Sequence, residues 1–118
     1  MHILIVDDDP DIRDVSARIL ACAGFTVNVA EDGEAAWTAV GDQHFDLIIT
    51  DQNMPRLDGT GLIARLHGAG LRVPVIMITG AAVDIPSIKS APDCFLPKPF
   101  SFSVLLGEMN RLLAPVPV

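Results

Sequence analysis

The sequence contains little of what membrane, secreted or nucleic-acid-binding proteins require. Its longest stretches without a charge are Ile19 to Ala30 and Val73 to Val83, both far shorter than the roughly 18 apolar residues of a membrane span. The N-terminus lacks the basic region and small-residue cleavage site of a signal peptide. Lys and Arg number 8 against 15 Asp and Glu, for a net charge of −7, and no basic cluster could neutralise phosphates. We therefore expect a cytoplasmic protein that binds neither membranes nor nucleic acid.

Cysteine and histidine are equally sparse. Cys22 and Cys94 stand alone without CxxC spacing, which argues against a cysteine metal cage or a disulfide framework. Cys22 falls on the predicted inner side of the first helix, so we expect it in the core. The sequence also has no Ser-His-Asp set and no glycine-rich phosphate loop, so nothing in it predicts a nucleotide site.

Short apolar runs alternate regularly with segments of helical periodicity. The apolar runs predict five strands, at Ile3–Val6, Phe25–Val29, Phe45–Thr50, Val73–Ile78 and Cys94–Leu96. Capping residues and periodicity predict helices after Asp9 and Asp32, over Asp58–His67, and after Ser101. Because strands separated by helices pair in parallel through right-handed crossovers, we expect an α/β protein with a doubly wound parallel sheet and helices on both faces.

The segment between the fourth and fifth predicted strands departs from this alternation. Pro86 and Pro92 interrupt it, and proline inside a helix costs about 3 kcal/mol or more. Val83, Ile85 and Ile88 are too few to form a convincing apolar face. We predict either a helix of one or two turns here or a mobile loop.

The chain is organised as a single domain. Its 118 residues match the usual size of one domain, and an apolar content of 50% is sufficient for a core. No repeat, linker or low-complexity tract interrupts it. We expect the domain to occupy residues 1–114, followed by a tail at residues 115–118.

Polar residues follow four of the five predicted strands, at the points where those strands end. Asp7 and Asp8 follow the first strand and Asp51 the third, while Thr79 and Lys98 follow the fourth and fifth. The ligand site of such sheets lies beyond the carboxyl ends of the strands, so these residues should converge. Three clustered carboxylates repel one another unless a cation is present, and Mg²⁺ suits oxygen ligands. Metal, ammonium and hydroxyl groups could then surround a phosphoryl group that a carboxylate accepts.

Four motifs in this sequence resemble those of the response-regulator receiver domain of two-component signalling. In the order of the family they are Ile3–Pro10, Ile49–Pro55 with Asp58-Gly59, Ile78–Ala81 and Leu96–Phe100. The resemblance covers nearly the whole chain. It implies the flavodoxin-like fold, in which five parallel strands have the order 2-1-3-4-5.

The resemblance also implies catalytic roles. Asp51 would accept a phosphoryl group from a phosphohistidine on a histidine kinase or a histidine phosphotransfer protein. Thr79 and Lys98 would contact the oxygens of that phosphoryl group. The chain would then catalyse only its own phosphorylation and dephosphorylation, and we do not expect an enzyme in the usual sense.

A set of metal ligands is implied in the same way. Asp8 would bind Mg²⁺ directly, Asp7 mainly through a metal-bound water, and Asn53 through its backbone carbonyl, with Asp51 completing the set. The metal pair of the family is the first two residues of such an acidic run, so Asp9 is interpreted as a helix cap.

We therefore expect a phosphorelay switch that changes the segment between the fourth and fifth strands. Its downstream protein partner cannot be named from the sequence, and a weak dimer is one assembly compatible with the family. Two other functions remain open. One is a degenerate receiver that acts as a protein-binding module, although all five site residues are retained. The other is an aspartate-based, Mg²⁺-dependent phosphatase, although such enzymes place the nucleophile after the first strand and usually have a cap domain.

Overall fold

The computed structural model describes residues 1–54, 56–80, 92–98 and 100–113. In these ranges the chain forms, in order, β1 (His2–Val6), α1 (Pro10–Cys22), β2 (Thr26–Ala30), α2 (Gly33–Asp42), β3 (Leu47–Asp51), α3 (Gly59–Gly68), β4 (Val75–Thr79), β5 (Cys94–Pro97) and α4 (Phe102–Leu113). The five strands form one sheet in the order β2-β1-β3-β4-β5, and neighbouring strands are parallel. The predicted fold class and strand order are confirmed.

Short polar residues define where the helices begin. Asp9 caps α1, since its carboxylate accepts hydrogen bonds from two backbone N–H groups of the first turn, and Pro10 occupies the first helical position. Asp32 and Asp58 cap α2 and α3 in the same way, and the hydroxyl of Ser101 accepts a backbone N–H of α4. Each side chain satisfies a donor that the helix itself leaves free.

The core has two halves, one on each face of the sheet. Successive side chains of a strand point to opposite faces, so every strand contributes to both halves. One half packs α2 and α3 against the sheet, through residues that include Leu4, Val6, Ile48, Leu62, Ile63 and Met77. The other packs α1 and α4, through residues that include Ile3, Ile5, Leu20, Ile49, Leu105 and Met109. None of the helices in the described ranges has the length and hydropathy of a membrane span.

The strand ends differ by one residue from the prediction at two positions that matter for the site. Asp51 is the last residue of β3, and Thr79 is the last residue of β4. Both belong to the ladder, Asp51 being paired with Ile78 and Thr79 with Pro97. Their backbone positions are therefore set by the sheet, which is more rigid than a loop.

The prediction that Cys22 lies in the core is wrong, since its side chain is exposed. The buried residues of α1 are Ser16 and Leu20, and a residue two positions from Leu20 lies about 200° around the helix. Ile12 and Val15 are also exposed, so the apolar stripe of α1 extends beyond the surface that it packs against.

Two predictions lie outside the described residues. The short helix or loop expected between β4 and β5 falls mostly on residues 81–91. The tail at residues 115–118 is likewise outside the described part of the chain. Both remain predictions from the sequence.

Candidate functional site

Three carboxylates cluster at the carboxyl edge of the sheet. One oxygen each of Asp7, Asp8 and Asp51 lies within 4.8 Å of the others. Asp7 follows β1 and Asp51 ends β3, and these strands are neighbours in the sheet. Asp7 and Asp51 are buried, with exposed fractions of 4% and 5%, whereas Asp8 is exposed. The cluster thus offers two enclosed oxygen donors and one facing solvent, a donor set that suits a hard divalent cation retaining some of its water.

Lys98 joins this cluster directly. Its Nζ donates a hydrogen bond to Oδ2 of Asp51 over 2.8 Å, and its backbone N–H donates to the carbonyl of Thr79 over 2.7 Å. Burial acts to lower the pKa of Lys98, but the hydrogen bond to Asp51 and the charges of Asp7 and Asp8 outweigh it, and the pKa lies above its ordinary value. Lys98 is therefore a permanent positive charge at neutral pH.

The carboxylate of Asp51 is held through both of its oxygens. Oδ2 accepts from Lys98, and Oδ1 accepts the backbone N–H of Asn53 over 3.2 Å. Thr79 is buried at the end of the adjacent strand, one residue after Ile78, the ladder partner of Asp51. The sheet therefore brings all of the residues predicted at the strand ends to one edge. Asp7, Asp8, Asp51 and Lys98 form one charged cluster there.

Asp7 is the carboxyl of this cluster whose pKa is raised above its ordinary value. Burial raises the pKa of this carboxyl, and the negative charges of Asp51 and Asp8 raise it further, while the hydrogen bond from the Asp9 N–H and the charge of Lys98 partly offset the increase. A carboxyl whose pKa is raised by folding destabilises the folded state once it is ionised. Without a bound cation, the ionised carboxylate of Asp7 therefore lowers the stability of the domain at neutral pH.

Asp7→Asn is expected to raise the melting temperature in a metal chelator by about 4 °C, corresponding to roughly 1 kcal/mol. The amide oxygen can still accept the N–H of Asp9, which bonds Oδ1 of Asp7 over 2.9 Å, while the repulsion is lost. Thermal unfolding followed by circular dichroism measures the change. Asp14→Asn removes an exposed charge from α1 and should have little effect. A melting temperature unchanged or lowered by Asp7→Asn in chelator would contradict the prediction.

Sequence reasoning missed the residues that fix the connection between β3 and α3. Oε1 of Gln52 accepts the N–H of Thr60 over 2.9 Å, and the carbonyl of Gln52 accepts the N–H of Gly59 over 3.1 Å. A Cβ on Gly59 would lie 2.8 Å from the carbonyl oxygen of Asp51, closer than packed atoms approach. Glycine is therefore required for α3 to begin this close to Asp51, and the Asp58-Gly59 pair was the signal that could have shown it.

A second set of contacts ties the same connection to the start of α2. Nε of Arg56 donates to Oδ2 of Asp32 over 2.7 Å, and the N–H of Gly33 donates to the carbonyl of Leu57 over 3.2 Å. The pKa of Asp32 is lowered by the hydrogen bond from the N–H of Ala35 and then by the hydrogen bond from Arg56. Nothing in the local sequence around Asp32 indicates that its partner lies in a distant loop.

The family assignment comes from comparison with known proteins. Residues 3–110 match the family model described as the response regulator receiver domain. The chain belongs to this family. This receiver domain is 34% identical over 116 residues to the response regulator MprA of Mycobacterium tuberculosis (strain ATCC 25177 / H37Ra), a match that covers 96% of this chain and 50% of that protein. The chain thus spans about half the length of the curated relatives it matches.

Solved structures agree with the fold. The receiver domain of the Francisella response regulator 1452 is 31% identical to this chain, with a TM-score of 0.88 and 95% of both chains covered. The signal receiver domain of a signal transduction histidine kinase from Syntrophus aciditrophicus is 33% identical, with a TM-score of 0.89, covering 96% of this chain and 89% of that one. TrrA, a response regulator protein from Thermotoga maritima solved in complex with Mg(2+)-BeF, is 29% identical, with a TM-score of 0.87 and coverages of 95% and 98%. The receiver resemblance inferred from the motifs is confirmed.

Proposed function

We propose that this receiver domain is a Mg²⁺-dependent switch in which Asp51 accepts a phosphoryl group from the phosphohistidine of a histidine kinase or histidine phosphotransfer protein. The observation that supports it most is the hydrogen bond from Lys98 to Asp51 within the cluster of Asp7 and Asp8. A buried nucleophilic carboxylate, a fixed cation and two further oxygen donors are the groups that phosphoryl transfer requires. Family membership supports the signalling context.

The metal site would use the carboxylates of Asp7, Asp8 and Asp51 together with the backbone carbonyl of Asn53. The oxygen donors of the clustered carboxylates are the type that Mg²⁺ prefers, and TrrA, a relative of the same fold, was solved in complex with Mg(2+)-BeF. When bound, Mg²⁺ would offset the negative charge of the phosphoryl oxygens. The exposed position of Asp8 leaves solvent access for the ion.

The chemical step follows from the contacts of Asp51. One of its carboxylate oxygens forms the new bond to phosphorus as the bond from phosphorus to the imidazole nitrogen of the donor breaks, and the product is an acyl phosphate. Lys98 lies 2.8 Å from Oδ2, where it can neutralise charge on the oxygens of the transferring group. The hydroxyl of Thr79 supplies a further donor, and hydrolysis by water reverses the modification.

An apolar groove beside Lys98 supports the choice of a protein as phosphodonor. The groove has a volume of about 560 Å³ and is lined by residues that include Ile12 and Val15 of α1, Phe100, and Phe102 at the start of α4. The two phenylalanine rings pack edge to face, with centroids 5.4 Å apart. We infer that an apolar helix face of the phosphodonor docks here, because a contiguous exposed apolar surface beside a reactive group marks an interaction site.

The proposal also covers the location of the protein and the segment that phosphorylation changes. Residues 1–114 would form the domain in a cytoplasmic protein, and phosphorylation would change the segment between β4 and β5. The two other functions are less well supported: the receiver family does not favour a phosphatase, and the assembled cluster does not favour a degenerate binding module.

Intact-mass measurement tests the function. The protein is incubated with Mg²⁺ and acetyl phosphate, and we expect the gain of one acid-labile phosphoryl group. That gain should disappear in Asp51→Asn and in chelator, and it should persist in Asp14→Asn, whose exposed carboxylate lies on α1. No gain with acetyl phosphate or phosphoramidate would favour the binding module. Steady turnover of a phosphomonoester would favour the phosphatase.

A further inference from the structure

The connection between β3 and α3 is held at both of its ends. At the β3 end, Gln52 bonds the first turn of α3 through its side chain and its carbonyl, as described above. At the α3 end, the carbonyl of Leu57 accepts the N–H of Gly33. Between these anchors lies Asn53, whose carbonyl is the backbone ligand of the proposed metal site. The second anchor belongs to α2, a different part of the chain.

The ion pair of Asp32 and Arg56 reinforces that second anchor, and at 2.7 Å it is shorter than the hydrogen bond between Gly33 and Leu57. The side chain of Asp32 is only 3% exposed, and its Oδ1 accepts the N–H of Ala35 over 2.8 Å. Its other oxygen accepts Nε of Arg56 over 2.7 Å. A buried carboxylate is costly unless it is paired and hydrogen-bonded. Because the buried carboxylate of Asp32 is stabilised by this ion pair, the pair holds the guanidinium of Arg56 in place.

The backbone at Arg56 has an unusual conformation at the point where the anchor holds the loop. Its φ angle is +68°, a left-handed conformation that residues other than glycine rarely adopt. Such a conformation persists where surrounding contacts specify it, and here they are the side-chain pair with Asp32 and the neighbouring hydrogen bond from Gly33 to Leu57. Without them, the loop could relax and move the Asn53 carbonyl.

We propose that Asp32 and Arg56 are positioning residues for the divalent-metal site, because they hold the loop that presents the Asn53 carbonyl. This inference rests on the proposed function and deepens it. Neither side chain belongs to the carboxylate cluster that would hold the metal. The pair connects metal affinity to the start of α2, so that breaking it weakens binding without removing a ligand.

Calorimetric titration of the full chain with Mg²⁺ tests the inference. Arg56→Gln and Asp32→Asn are each expected to raise the Kd for Mg²⁺ about tenfold, the usual effect of removing a residue that orients a ligand. Asparagine remains a good N-cap, so Asp32→Asn keeps the cap of α2 and removes only the charge. The double variant should bind Mg²⁺ with about the same Kd as either single variant, since both substitutions remove the same contact.

Arg65→Gln is the matched control. Arg65 forms a two-pronged pair with Glu34 over 2.9 and 3.0 Å, which also joins α3 to α2 but does not touch the loop. The Arg65→Gln variant should have a Kd for Mg²⁺ within twofold of the wild type. All variants are compared at a temperature where circular dichroism shows them to be folded. Amide exchange over residues 52–58 should be faster in Arg56→Gln and Asp32→Asn, but not in this control.

The outcomes separate the inference from the function on which it rests. An unchanged Kd in Arg56→Gln and Asp32→Asn, whether or not amide exchange is faster, would overturn the inference and leave the proposed function intact. An equal loss of affinity in Arg65→Gln would also overturn it, because general loosening of α2 against α3 would then be the cause. A wild-type protein that binds no Mg²⁺ would overturn both.

Discussion

Lys98→Met is expected to slow phosphorylation of Asp51 by acetyl phosphate by about 100- to 1000-fold, the usual cost of removing one preorganised charge-stabilising group. The ammonium group of Lys98 lies 2.8 Å from Oδ2 of Asp51 and forms an ion pair with that carboxylate. Methionine has a similar length but supplies no charge to oxygens that become more negative during transfer. Intact-mass time courses at saturating Mg²⁺ measure the rate.

Two further variants test whether the effect comes from the charge at this position. Lys98→Arg keeps the positive charge and should retain more activity than Lys98→Met, although the planar guanidinium cannot reproduce the position of Nζ. Arg72→Met removes a charge from the exposed connection before β4 and should leave the rate within about twofold. A rate for Lys98→Met within threefold of the wild type would contradict the role proposed for the lysine.

Val15→Glu is expected to slow phosphotransfer from a protein phosphodonor by at least about tenfold, because a charge buried against an apolar helix face must be desolvated without a partner. Val15 lines the groove beside Lys98 and is 51% exposed, so the substitution should not disturb the core. Labelling by acetyl phosphate should be unchanged, since that donor does not need the groove. A phosphorylated histidine kinase or histidine phosphotransfer protein that labels the wild type serves as the donor.

Val29→Glu provides the matched control for the groove. Val29 is 47% exposed, close to the exposure of Val15, but it lies on β2 at the edge of the sheet and outside the groove. A charge on an edge strand is well tolerated. Equal transfer rates for Val15→Glu and the wild type would remove the groove from the proposal, and parallel losses with acetyl phosphate would show that Val15→Glu damages the site itself.

Much of the site could be predicted because its residues lie at the ends of the strands or directly after them. A short apolar run predicts a buried strand, and all parallel strands of one sheet end at the same edge. The positions of Asp7, Asp51, Thr79 and Lys98 therefore follow from the order of strands and helices. The roles of these residues as phosphoacceptor, phosphate contacts and metal ligands rest on chemistry and resemblance, and they await the measurements above.

Local sequence was also sufficient for the helix starts, because a cap such as Asp9 bonds residues only two or three positions away. It was not sufficient for Cys22, since which side of α1 is buried depends on the elements that pack against it. The pairing of Asp32 with Arg56 joins residues 24 positions apart, and no periodicity or spacing encodes such a contact. Local hydrogen bonds and the burial of the strands can thus be predicted along the chain, whereas the apolar groove beside α1 and the anchor of the β3–α3 connection arise only when distant segments pack together.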